Sequence, residues 1–150
     1  MREICAEAEA YLKANDRPGQ VVRASLAGFV EPINEAAVDA ACLAAARLDA
    51  PLIVVATISG RTALALSNRR PTATILALTR TEEVARFMSL CWGVTAVVAA
   101  DASTPEQELA FAIDWARSRR LVQAGQHVVL LRGEMPGQAK TRGVLIRKVI

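Results

Sequence analysis

The chain has 150 residues, 53% of them hydrophobic and only 4% aromatic, with a formal charge of +3. That is apolar material for one domain whose core is filled by Ala, Val, Leu and Ile rather than by rings. The charge is mild and interspersed, which argues against a nucleic-acid surface, and no apolar stretch reaches the length of a membrane span.

From the N-terminus, residues 2–13 place Ile4, Ala8 and Leu12 at helical spacing, with Glu3, Glu7 and Glu9 toward solvent. No basic region followed by an apolar run marks a signal peptide here. Asn15, Asp16, Arg17, Pro18 and Gly19 break the helix, and residues 20–30 have no clear period. Residues 1–30 therefore read as a helix and linker, and residues 31–150 as the compact domain. An Ala-rich helix is predicted over 32–48, with Asn34 or Glu35 serving its first turn and Pro51 blocking its continuation. Residues 52–56 form a continuous Val/Ile run, the pattern of a strand covered on both faces. A turn at 57–60 leads into a helix over 61–68, followed by a strand at 74–79. A helix over 81–90 takes Thr81 as N-cap, with Glu82 and Glu83 favourable in its first turn.

A strand at 94–99 precedes a long helix from Pro105 to about Gln123, capped by Thr104. Arg117, Arg119 and Arg120 lie toward its end, where cations favour the helix dipole, and Gly125 closes it. A strand at 127–131, a polar loop over 132–140 and a last strand at 144–149 complete the chain. Strands alternating with helices imply βαβ crossovers and a mostly parallel sheet. The last two strands lack a helix between them, so the final one must run antiparallel. The expected architecture is α/β: three layers, α/β/α, around a five-stranded sheet.

The turn Thr57-Ile58-Ser59-Gly60-Arg61-Thr62 carries the most chemistry. It joins the carboxyl end of a strand to a helix start, where unpaired amides and the dipole favour an anion. Thr57, Ser59 and Thr62 supply hydroxyls, Gly60 permits close approach, and Arg61 adds a cation. It reads either as a phosphate cradle or as an ordinary capped turn in which Thr57 or Ser59 serves only the helix. It is neither a P-loop nor a dinucleotide fingerprint.

The run from Ala56 to Val94 resembles the C-terminal domain of the pyruvate kinase family. The likeness rests on a T-x-S-G-[KR]-[ST] turn at 57–62 and an R-P pair at Arg70-Pro71. A P-I-[IL]-A-x-T strand follows at 74–79, with Thr74 in place of its proline, and then Leu90 with Trp92-Gly93-Val94. Ile4 and Glu7-Ala8-Glu9 resemble the helix that closes that family's catalytic barrel. Residues 32–50 and 111–131 are similar to the helix opening the C-terminal domain and to its long helix and following strand.

The resemblance implies a regulatory and oligomerisation domain of an enzyme that converts phosphoenolpyruvate and ADP to pyruvate and ATP. It implies a phosphorylated effector bound at Thr57, Ser59, Gly60, Arg61 and Thr62. An effector loop is implied with Arg132, Gly133, Gly137 and Lys140, where Lys140-Thr141-Arg142 stands in place of the family's G-[ST]-x-T-N pattern. Ile58 departs from a Lys found in some members, and Glu108 falls where some bisphosphate-responsive members place an Arg. A carboxylate repels a second phosphate, so a monophosphate, or no effector, is expected rather than a bisphosphate.

No catalytic residue and no metal site are expected: the family's catalytic Lys, Mg²⁺ carboxylates and K⁺ site belong to the barrel domain, the expected partner together with further copies of the chain. Asp101 and Glu106 read as solvated helix-start acids. Cys5, Cys42 and Cys91 are far apart without a CxxC pair and His127 is the only histidine. The cysteines therefore read as small buried residues in a cytoplasmic, reducing setting. Trp92 is expected to pack in the core and Trp115 to share a buried stripe with Phe111. Glu134 and Met135 are expected near the mouth of the same turn. The helix at 32–48 and the final strand are candidate subunit contacts. The alternatives are a free-standing α/β module for another phosphorylated ligand and, with less to support it, a small enzyme, for which no nucleophile–base pair is readable.

Overall fold

The computed structural model describes residues 2–15, 32–132 and 143–150. In chain order its elements are α1 (Arg2–Asn15), α2 (Pro32–Arg47), β1 (Leu52–Ala56), α3 (Arg61–Arg69), β2 (Thr74–Thr79), α4 (Glu82–Met88), β3 (Val94–Val98), α5 (Pro105–Ser118), β4 (His127–Arg132) and β5 (Gly143–Lys148). The strands form one sheet in the order β3-β2-β1-β4-β5. β1 pairs in parallel with β2 and β4, β2 in parallel with β3, and β4 antiparallel with β5.

Every residue of β1 is buried, as its unbroken apolar run requires of a central strand. The two faces are served unequally. Ile53, Val55, Ile75, Ala77, Val129 and Leu131 meet α2, α3 and α4 through Val38, Ala41, Ala63, Leu66 and Met88. Leu52, Val54, Leu76, Leu78, Val128 and Leu130 meet α5 through Leu109, Ala112 and Ala116, with Ala99, Val122 and Val149 beside them. Alternate residues thus feed opposite layers, and the small Ala side chains bring the helices close. The result is the expected α/β/α arrangement with an antiparallel last strand.

The helix after β1 and the helix after β2 lie on one face, while the helix that returns the chain from β3 to β4 lies on the other. The winding direction therefore reverses between β1 and β4. Open α/β sheets bind ligands outside the carboxyl ends of their strands at such a reversal.

Several expectations need correction. α5 ends at Ser118, not near Gln123. Arg120 turns left-handed, with φ of 58°, and Leu121 N–H bonds back to Ala116 O at 2.9 Å, which closes the helix early. Gly125 instead sits in the turn into β4, where its N–H donates to Val149 O at 2.7 Å. α4 ends at Met88, with Ser89 as its C-cap.

Cys42 and Cys91 are half-buried rather than core residues, and the side chain of Cys5 lies outside the described residues. Burial still pushes the Cys42 thiol up to about 11, with Arg69 nearby pulling the other way. Trp92 is half-buried, with the Arg70 guanidinium 4.9 Å from its ring. Trp115 is likewise half-buried under Arg119 at 3.9 Å, and Phe111 is exposed. These rings lie at the rim, where a flat face can take a cation and still cover apolar atoms. In α1, Glu3 and Glu7 face solvent, and so do Ile4 and Tyr11.

Candidate functional site

β1 ends at Ala56, and the chain turns sharply into α3. Thr57 is held on both sides: its N–H donates to Leu78 O at 2.9 Å, and its hydroxyl oxygen accepts from Gly60 N–H at 3.0 Å. That second bond folds the turn onto itself. Gly60 adopts φ of 81°, a conformation that favours glycine. An added Cβ there would overlap Met88 Cε and stand 3.0 Å from its Sδ. Two demands, backbone conformation and space, thus meet at this residue.

No side chain caps α3. Its first intrahelical bond is Leu64 N–H to Gly60 O at 2.9 Å, which leaves the amides of Arg61, Thr62 and Ala63 ahead of the ladder. Ser59 and Arg61 are exposed beside them. Thr62 is buried, and its hydroxyl is engaged by the Asn34 side-chain amide at 3.3 Å, tying the start of α3 to α2.

The residues that sequence reasoning grouped at this corner are therefore together, but in two roles. Thr57, Gly60 and Thr62 build the turn. Ser59 and Arg61 are exposed beside the uncapped first turn, whereas Thr62 and Ala63 are buried. Asn34 was assigned to its own helix start, and its link across to Thr62 has no signal in local sequence.

Arg132 ends β4 and is the register partner of Ala56, so its backbone lies beside the turn. Its guanidinium points toward α5. Nε stands 3.2 Å from Glu108 Oε2, and Nη2 donates to Ser103 O at 3.0 Å. Glu108 is only 3% exposed. Burial pushes its carboxyl above the usual range, while Arg132 and Arg80 pull it back. The Nε contact is a charge pair without hydrogen-bond alignment. Among the described residues, Glu108 Oε2, Arg132 Nε and the buried Thr79 hydroxyl have no hydrogen-bond partner. A cavity of about 10 Å³ lies among Thr57, Ile58, Thr79, Arg80 and Glu108, room for a single water. Of the anticipated loop residues, Gly133, Gly137 and Lys140 lie outside the described residues, as do Glu134 and Met135.

Elsewhere an open groove of about 760 Å³ runs along the β3 edge, lined among others by Glu82, Trp115 and Arg119. Arg119 is occupied with Trp115 there. The described residues contain no cluster of His, Cys, Asp or Glu able to hold a metal, and Asp101 and Glu106 are exposed. No described helix is long and apolar enough to cross a membrane.

Residues 35–145 match the family model described as pyruvate kinase, alpha/beta domain. The whole chain aligns with a pyruvate kinase of Geobacillus stearothermophilus at 30% identity, spanning 25% of that protein. Part of it, 63%, aligns with one from Agrobacterium vitis at 38% identity, spanning 20% of the relative. The fold matches a solved pyruvate kinase from Cryptosporidium parvum with a TM-score of 0.72 and 26% identity, covering 81% of this chain and 23% of the other. The chain thus spans about a quarter of the length of these relatives. Five-stranded topology, turn motif and matched span agree, and the chain belongs to the pyruvate kinase family, as its alpha/beta domain.

Proposed function

We propose that this chain is the regulatory and assembly domain of a pyruvate kinase and binds a phosphorylated small molecule at residues 57–62. The observation that carries the reading is the start of α3: uncapped amides beside exposed Ser59 and Arg61, at the carboxyl edge where the winding reverses. The Ser59 hydroxyl, the Arg61 guanidinium and the uncapped start of α3 hold the phosphate, while Thr57, Gly60 and Thr62 keep the turn in shape. Arg132 stands behind it on the neighbouring strand.

In this reading residues 1–30 connect to a catalytic barrel and residues 31–150 form the effector domain. Further copies of the chain are its partners, in the cytoplasm. Phosphoryl transfer needs a metal and cations placed around the moving phosphate, and these belong to the barrel. Phosphoenolpyruvate and ADP therefore give no ATP with this chain alone, which a coupled assay checks. For the ligand, sugar monophosphates and AMP raise the melting temperature, and Ser59→Glu abolishes the rise by placing a carboxylate where the phosphate sits. Calorimetry without heat for any phosphorylated metabolite would reduce the role to assembly.

A further inference from the structure

The two edges of the sheet are guarded differently. β5 carries Arg147 and Lys148, both exposed, and charges of this kind discourage the addition of another strand. β3 reads Val-Thr-Ala-Val-Val, with no charge and no proline, and among the described residues β2 is its one pairing partner. Thr95 is exposed, and Val94, Ala96, Val97 and Val98 are half-buried. The open groove of about 760 Å³ follows this edge. β3 itself lines it, between Glu82 and Ala85 of α4 on one face of the sheet and Trp115 and Arg119 on the other. An uncharged, accessible edge is a template for strand pairing.

The ladder to β2 fixes which backbone groups face away from it. Ile75 N–H donates to Gly93 O at 3.3 Å and Ala99 N–H donates to Thr79 O at 2.8 Å, at the two ends of a parallel register that pairs Ile75 with Val94 and Thr79 with Val98. Direction alternates along a strand, so Gly93, Thr95, Val97 and Ala99 turn their polar groups to β2. Val94, Ala96 and Val98 turn theirs to the outer edge. A two-fold axis at Ala96 sets Ala96 against its own copy and Val94 against Val98 as antiparallel hydrogen-bonded pairs, with Thr95 against Val97 between them. Every outward N–H and C=O of the strand then has a partner, and no charge meets its like. The same axis lays α4 antiparallel to its copy. Glu82 and Glu83 open that helix and Arg86 lies one turn later, all exposed, so the acids of one copy run beside the arginine of the other.

We propose that β3 pairs antiparallel with β3 of a second copy of this chain, joining the two sheets into one continuous sheet. The proposal rests on the reading of the chain as an assembly domain and is independent of anion binding at residues 57–62. The surface is distinct from α2 and β5, the contacts expected from the sequence. A second copy is the occupant because the edge complements itself about one axis in three respects: its outward backbone groups, its uncharged side chains and the charges of α4.

Sedimentation equilibrium of the full chain over a wide concentration range is expected to show monomer and dimer in exchange. Amide hydrogen exchange read by NMR at low and high concentration needs no variant. The amides of Val94, Ala96 and Val98 are expected to gain protection with concentration, while those of Thr95 and Val97, already bonded to β2, gain little. Ala96→Pro removes an outward N–H and leaves the β2 ladder whole, a setting in which an edge strand accepts proline. It is expected to raise the dimer Kd about tenfold or more without loss of the folded circular-dichroism spectrum. Ile146→Lys on β5 is expected to leave the dimer Kd unchanged. Should Ala96→Pro not fold, the exchange pattern of the wild type decides. A dimer whose Val94, Ala96 and Val98 amides exchange as they do in the monomer, or one that Ile146→Lys dissociates, overturns the β3 pairing and leaves assembly through another surface. A chain that stays monomeric at every concentration overturns both the pairing and the assembly reading, and leaves the edge to a strand of a different protein.

Discussion

Two helices start at the carboxyl edge of the same sheet and treat their first turns in opposite ways. α5 satisfies itself. Thr104 Oγ1 accepts from Gln107 N–H at 3.2 Å, and Gln107 Oε1 accepts from the N–H groups of Thr104 at 3.1 Å and Ser103 at 2.9 Å. Pro105 has no amide to leave over, and Glu106 and Glu108 put negative charge on the dipole. α3 starts from Gly60 without a side-chain cap, has no acid in its first turn and carries Arg61. A helix start closed by its own sequence has nothing left to offer an anion. One left uncapped, where the winding reverses, is what the proposed anion site depends on.

The largest test of this contrast concerns what anchors the closed end. Arg132→Leu leaves Glu108 buried without its partner and should cost about 3–5 kcal/mol in urea denaturation. Replacing both by Leu should recover most of that loss. A single variant no less stable than the double would remove the pair from the account.

Next comes the hinge of the open end. Gly60→Ala meets both a left-handed backbone and Met88, and should cost about 1–3 kcal/mol from the backbone alone, with the steric cost added. Gly125→Ala has a similar φ of 90° but no atom within 4 Å of the new Cβ. It should show only the backbone part, and equal losses would mean Met88 moves freely aside.

The smallest effect compares the caps directly. Thr104→Ala should lower stability by about 1 kcal/mol. Ser59→Ala, which removes no cap, should change it by no more than about 0.5 kcal/mol while weakening anion binding. Equal losses in stability would mean that Ser59 serves its helix after all.

Much of this was legible in residues 52–132. The unbroken apolar run of β1 announced a strand buried on both faces, and Thr104-Pro105 announced the start of α5. The reciprocal Gln107 bond has its local signal in the sequence as T-x-x-Q. The end of α5 was misplaced because Arg120 takes a left-handed turn without being glycine. At the turn, the residue types named the chemistry but not which hydroxyls it would consume. Thr57 and Thr62 look like Ser59 in sequence, and only packing shows them buried and bonded to Gly60 and Asn34.

By itself, the sequence determined what is local: which segments are strands or helices, where helices start, and that a glycine followed by an arginine opens α3. These follow from period, propensity and caps, which act over a few residues. The strand order, the reversal between β1 and β4, and the meeting of Glu108 with Arg132 across 24 residues were decided by the tertiary structure. A strand chooses its neighbour, and a buried charge its partner, by what the whole chain can cover at once, and no short stretch of residues contains that choice.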